Sequence, residues 1–297
     1  MLINKAIRRV VDDESWFDDE HCINWDGAPT GQRLAALATK RANQLRRRPR
    51  QGLSPDAFQL ELASKVSACQ PRHRCGLAIC PHCSTATQRW VTSGIVDLTG
   101  QEEPQKVGAL SLIPTIPLGS VLTAADLEAT MKYVREMLKD NGFVEWAVLC
   151  LDISWNDYSA VSQHWPDGQS TSGWCPHVYS HIKTKNLNAF KKRLRAAFTE
   201  MWGIPVPVKM RTYDGSAYGA SYAFKVEFQR RVSFWNKRDR LDVKDYALPT
   251  ALNIQAMRAL GELGLAGRID LIGLEINETR TTENKSPAVK KLTSGEE

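Results

Sequence analysis

No stretch of the 297-residue chain is apolar for long enough to cross a bilayer. The first residues, Met1 to Asp12, also lack the continuous apolar core of a secretory signal. Both absences place the expected protein in the cytoplasm, with no membrane partner. No internal repeat is visible, and no large charge excess either: the formal net charge is +6, which by its sign alone is weak evidence for a polyanionic partner. Nor is the chain poor in apolar residues. At 42% hydrophobic and 24% charged it reads as globular rather than disordered, with room for one large domain or two modest ones.

The distribution of charge says more than its sum. Cations gather at Lys40-Arg41, at Arg46-Arg47-Arg48 with Arg50, at Lys191-Lys192-Arg193 with Arg195, and at Arg230-Arg231 with Lys237-Arg238. Such clusters can neutralise phosphates, and each taken singly reads equally well as a solvated face. Seven cysteines are present, an odd number. In a cytosolic chain, closely spaced cysteines point to a metal or to catalysis rather than to disulfides.

Four of them fall in one span, Cys69, Cys75, Cys80 and Cys83, closing with Cys80-Pro81-His82-Cys83. Loops carrying cysteine pairs can present four thiolates tetrahedrally, as structural Zn²⁺ requires. Gly76 and Pro81 supply the tight turns. His73 or His82 remains an alternative ligand, with Cys69 the least secure of the four.

Taken in order, residues 1–65 read as a basic helical N-terminal region, 66–90 as a zinc knuckle and 105–276 as the main domain. The polar stretch 277–297 reads as a disordered tail. Within the main domain, residues 109–115 and 144–154 read as strands. A helix opens at Thr123 with a Thr-x-x-Asp capping box and carries Leu127, Met131, Val134 and Leu138 on one face. Residues 187–202 form a basic amphipathic helix and 205–212 a further strand. Residues 213–229 and 251–263 read as helices, and 269–276 as a last strand. This order predicts an α+β fold: an antiparallel sheet with helices packed on one face and a polar, ligand-binding face opposite.

The stretch with the most chemistry is Gly173-Trp174-Cys175-Pro176-His177-Val178-Tyr179-Ser180-His181. On a strand, His177, Tyr179 and His181 share one side. Two imidazoles and a phenol there point to a metal or phosphate site, or to a half-buried strand whose histidines bond to neighbours. Upstream, Leu149-Cys150-Leu151-Asp152 is an apolar strand with one carboxylate. Downstream, Ser221-Tyr222-Ala223-Phe224-Lys225 is preceded by Tyr218, one helical turn before Tyr222. The two tyrosines also fit core-facing aromatics of an amphipathic helix.

This ordered set resembles the replication initiators of rolling-circle plasmids and phages, the Rep branch of the HUH endonucleases. The likeness covers residues 69–234. It implies a nuclease-like antiparallel sheet preceded by a cysteine-rich knuckle with structural Zn²⁺. It also implies binding of single-stranded origin DNA, and nicking through a tyrosine nucleophile to leave a 5′-phosphotyrosine and a 3′-hydroxyl for host replication proteins. On the same likeness Tyr222 is the nucleophile, Tyr218 the second tyrosine and Lys225 the cation for the phosphate. Asp152, His177 and His181 would hold a catalytic Mg²⁺ or Mn²⁺, with His164 a fourth candidate, and the cationic clusters at 46–48 and 191–195 would grip DNA. One position departs from the family: its second histidine falls on Tyr179, so His181 is expected to substitute. A non-cutting, zinc-containing DNA-binding protein on the same fold is the alternative.

Overall fold

The fold is that of a computed structural model describing residues 25–26, 28–47, 54–70, 73–100, 102–114, 118–140, 144–161, 172–199, 204, 206–225, 227–238, 240–277 and 288–292. Among these residues no helix is long and apolar enough to cross a membrane. They form seven α-helices and nine strands, an α+β arrangement.

The N-terminal helices begin where the sequence supplies caps. The side-chain oxygen of Thr30 accepts from Arg33 N at the head of α1 (Gly31–Leu45), and that of Asp56 from Gln59 N at the head of α2 (Ala57–Ala68). Helix α3 (Pro81–Gly100) opens with proline in its first turn, where no amide partner is lost. Arg41, grouped by the sequence with a surface cluster, is buried instead. It donates to Ile79 O at 2.6 Å, tying α1 to the cysteine loop. The buried residues of α1–α3 are continuous with the core beneath the sheet.

The remaining elements are β1 (Val107–Leu112), α4 (Ala124–Asp140), β2 (Val144–Asp157), β3 (Gly173–Thr184), α5 (Leu187–Ala197) and β4 (Val208–Thr212). They continue with α6 (Ala217–Ser221), β5 (Gln229–Trp235), β6 (Leu241–Ala247), α7 (Thr250–Leu263), β7 (Ile269–Ile272), β8 (Leu274–Asn277) and β9 (Ala288–Lys291). The main sheet runs β4-β1-β3-β2-β5-β6, with β7 also on β2. Pro176 lies beyond the last β1–β3 pair, Leu112↔Val178, where β3 keeps β2 as its partner, a placement proline tolerates.

Four expectations change. The sheet is mixed rather than antiparallel, because β5 runs parallel to the C-terminal end of β2, from Ser154↔Gln229 to Asp157↔Val232. Helical segments occupy both faces. Arg135 of α4 reaches Asp270 at 3.3 Å, and Leu187 of α5 abuts Gly108, both on the Leu149 side of the sheet. Residues 213–225 cross the other face, where Tyr213 meets His181 and Tyr222 meets Tyr179. The helix expected over 213–229 shrinks to α6. It is nucleated by Ser216, which accepts from Gly219 N at 2.9 Å, and ends as Ala223 and Phe224 turn into the core. Finally, 269–276 is two strands, because Gly273 takes φ +61° with a Cβ position only 2.2 Å from Glu145 O.

The tail expectation also fails over part of its length. Residues 288–291 pair with β8, Val289 packs on Gly94, and Lys291 forms an ion pair with Glu102. That carboxylate also takes Lys183 from the end of β3 at 2.5 Å.

Candidate metal centre and active-site face

The cysteine cluster is built by chain direction. Cys69 ends α2, a reciprocal pair of backbone hydrogen bonds joins Gln70 to His73, and Gly76 turns at φ +67°. Cys80 and Cys83 then sit at the head of α3, one helical turn apart. All four sulfurs lie within 4.8 Å of one another, with Cys69–Cys83 at 3.6 Å and Cys75–Cys83 at 3.7 Å. Zinc–sulfur bonds of about 2.3 Å in a tetrahedron require sulfur–sulfur edges of roughly 3.8 Å. The four cysteines therefore fit a structural metal such as zinc. Hydrogen bonding to Cys69, with burial adding to it, pushes Cys75, Cys80 and Cys83 above the usual thiol range, and Cys69 moves down. A dication at the centre would remove that conflict by binding all four as thiolates. Neither His73 nor His82 joins the cluster. Arg46 is fixed beside it by a 2.8 Å bond to Ser67 Oγ.

The second assembly is the sheet face under residues 213–225. Strand pairing sets Asp152 opposite His177, Cys150 opposite Tyr179 and Val148 opposite His181. On the other side of β3, Ser111 and Ala109 of β1 face Tyr179 and His181, followed by Lys209 and Arg211 of β4. Arg231 of β5 lies on the same face, opposite Asn156. Of these, His177, Tyr179, His181, Ala109, Ser111, Lys209, Arg211 and Arg231 floor an open cleft of about 670 Å³ that Arg195, Tyr218 and Tyr222 also line. Neither tyrosine is a core residue: Tyr218 is 65% and Tyr222 49% exposed.

Lys225 is the centre of this face. Its ammonium donates to Tyr179 Oη at 3.1 Å, lies 3.7 Å from Asp152 Oδ2, and sits 4.3 Å from the centroid of the Tyr222 ring. Tyr222 in turn meets Tyr179 edge-on at 5.3 Å. The backbone here is pinned by the fully buried Arg268, which donates to Leu151 O at 3.1 Å and Lys225 O at 2.8 Å and stacks on Phe224. Burial opposes the Lys225 charge, but Asp152, Tyr179 and Tyr222 outweigh it and raise its pKa above the ordinary lysine value. Burial pushes Asp152 up, with Lys225 and Arg268 pulling against it. Tyr179 is raised to about 12 by burial and by Asp152.

The two histidines are neutral. Burial, then Arg231, Lys225 and Lys209, lower His177 to about 3, and its Nε2 lies 2.9 Å from Ser154 Oγ. Burial lowers His181 to about 4 against the pull of Asp214; its ring packs edge-on against Tyr213, and neither ring nitrogen has a hydrogen-bond partner among the described residues. The expected ion set is not gathered. Among the described residues the four cysteines are the one group of three or more His, Cys, Asp or Glu ligands close enough to share an ion. His177 and His181 are four residues apart on one strand, about 13 Å at a rise of about 3.3 Å per residue, too far for one small cation. Asp152, His177 and His181 thus do not fit a shared Mg²⁺ or Mn²⁺.

The DNA-gripping candidates scatter. Lys191, Lys192, Arg193 and Arg195 lie on α5, and of these Arg195 reaches the cleft. Arg46 and Arg47 follow α1, while Arg48 and His164 fall outside the described residues. Arg230 and Arg231 are engaged by Asp157 and Asp245. Lys209 and Arg211 are functional candidates beyond those expected from the sequence, although their alternation with Val208 and Met210 signals a shared strand face. Arg268 carried no signal. No family model, no curated protein and no solved structure matches the chain.

Proposed function

We propose that the chain is a rolling-circle-type replication initiator that binds single-stranded DNA in the cleft and transfers a strand to Tyr222. Tyr222 itself carries the reading: an exposed phenol beside a fixed ammonium, over a sheet face bordered by Lys209, Arg211 and Arg231. A nucleophile next to a cation at the mouth of a basic groove suits phosphodiester chemistry. Tyr222 Oη attacks phosphorus and the P–O3′ bond breaks. The phenolic proton passes to solvent, and the departing 3′-oxygen takes one up. The products are a 5′-phosphotyrosine and a 3′-hydroxyl that a host polymerase can extend. Tyr218, one turn away, is placed to receive a strand in a second transfer. The cysteine cluster, loaded with zinc, braces α2 and α3 and sets Arg46 beside them as a backbone contact.

The test is incubation with a pool of single-stranded DNA oligonucleotides labelled at their 3′ ends. A labelled adduct that survives SDS and maps to Tyr222 by peptide mass spectrometry is expected. Tyr222→Phe should lower its yield at least 1,000-fold, on the order expected for loss of a nucleophile, while binding stays within about twofold. An adduct on another residue, or none, overturns the reading.

One observation favours a second reading, a zinc-containing protein on the same fold that binds DNA without cutting it. Tyr179 stands in place of a ligand, and His181 is turned to Tyr213. Salt-dependent binding with no adduct under any condition would be its result.

A further inference from the structure

We infer that the ammonium of Lys225 serves this site as the fixed cation that a divalent metal would otherwise supply, so that strand transfer needs no Mg²⁺ or Mn²⁺. The inference rests on the tyrosine-transfer reading above. Three observations carry it.

The first is placement. The ammonium contacts Asp152, Tyr179 and Tyr222 together, at 3.7 Å from a carboxyl oxygen, 3.1 Å from a phenol oxygen and 4.3 Å from a ring centroid. A phosphate brought to Tyr222 would come within reach of this charge. Arg231, paired with Asp245 at 3.4 Å, borders the same small recess as Asp152, Tyr222 and Lys225.

The second is support. Arg268 holds the carbonyls of both Lys225 and Leu151, so lysine and carboxyl strand are positioned by one buried guanidinium. A charge fixed before substrate arrives needs little reorganisation during the reaction, the condition under which electrostatic stabilisation is most effective.

The third is exclusion. Like charges repel more strongly away from bulk water, and a dication on Asp152 would sit within a few ångströms of the ammonium. A third ligand is also missing among the described residues, because the next same-face position along β3 from the Asp152–His177 pair is filled by Tyr179, which accepts from Lys225.

In the reaction Lys225 stays protonated. It pairs with a non-bridging phosphate oxygen while the Oη–P bond forms and the P–O3′ bond breaks, and no proton or electron is gained from it.

The decisive measurement uses wild-type protein with its cysteine-bound metal verified by elemental analysis, in buffer stripped of other divalent ions. Adduct formation with the 3′-labelled single-stranded pool is followed as Mn²⁺ and, separately, Mg²⁺ are titrated. The expected rate changes by less than twofold, and the EPR signal of free Mn²⁺ is not diminished by the protein. A rate that rises tenfold or more and saturates with Mn²⁺ overturns the inference while leaving the tyrosine-transfer reading intact. Absence of adduct at every metal concentration overturns both. Lys225→Arg is expected to keep the rate within tenfold and Lys225→Met to lose at least 100-fold without rescue by Mn²⁺, each checked for an unchanged circular dichroism spectrum. Rescue of Lys225→Met by Mn²⁺ counts against the inference. Should Lys225→Met misfold, the wild-type titration decides alone.

Discussion

In the cysteine cluster, four donors from the end of one helix, a left-handed turn and the head of another helix point at one centre. On the sheet face the donors are strung along strands, two residues apart, and point the same way without meeting. The difference is geometric. Side chains alternate on a strand at about 6.6 Å per same-side step, and an ion with bonds of about 2 Å reaches only adjacent members of such a row. Turns converge; a single strand aligns. On the sheet face Lys225 and Tyr179 fill the space between the aligned residues, so the face holds a charge of its own.

Removing a cysteine should give the largest effect. Cys80→Ser is expected to release the bound metal and abolish cooperative unfolding, because structural zinc is worth about 10 kcal/mol or more and Cys80 is itself in the core. Zinc content and thermal melts check it. If the melt is unchanged, the cluster is not a structural centre.

Next comes the support of the sheet face. Arg268→Met leaves the carbonyls of Leu151 and Lys225 without their donor, an expected loss of about 2–4 kcal/mol in urea unfolding, with a larger fall in adduct yield than in DNA affinity. Equal falls would place Arg268 in general stability alone.

The histidines give a pH dependence of defined sign. Their folded values of about 3 and 4 lie below the unfolded 6.5, so as pH falls below about 6.5 the unfolded chain binds protons that the folded one refuses. Stability is intact above that pH and drops by about 1.4 kcal/mol per unit for each histidine until the folded values are reached. Urea midpoints at pH 7, 6 and 5 measure the slope; a flat profile would mean that solvent reaches these rings.

The smallest effect belongs to the cleft rim. Lys209→Ala and Arg211→Ala should each weaken single-stranded DNA binding a few-fold and lower the salt slope by about 0.7, the share of one phosphate contact. An unchanged slope would remove β4 from the DNA path.

Much of the scaffold was legible in the sequence. The capping box at Thr123, the apolar stripe of α4 and the alternation of His177, Tyr179 and His181 are local patterns, and each reappears in the fold. The cysteine cluster was legible because turns and ligands lie together in 15 residues. Residues 213–229 were read as one helix carrying Tyr218, Tyr222 and Lys225, yet Phe224 is drawn under Arg268, 44 residues away in sequence. The parallel pairing of β5 and the burial of Arg41 likewise depend on distant partners. His181 was expected to join His177 on one ion, but its place four residues along β3 sets the two apart.

The glycine of the Gly173-Trp174 pair has a separate consequence. Its backbone lies against Gly119: Trp174 N donates to Gly119 O at 2.9 Å, and a Cβ at Gly173 would stand 2.7 Å from that oxygen. Gly119 itself has open space but takes φ +79°. The two glycines are thus intolerant for opposite reasons, one of room and one of backbone shape. A saturation library should admit asparagine at 119, where the left-handed region suits it, and should return nothing but glycine at 173.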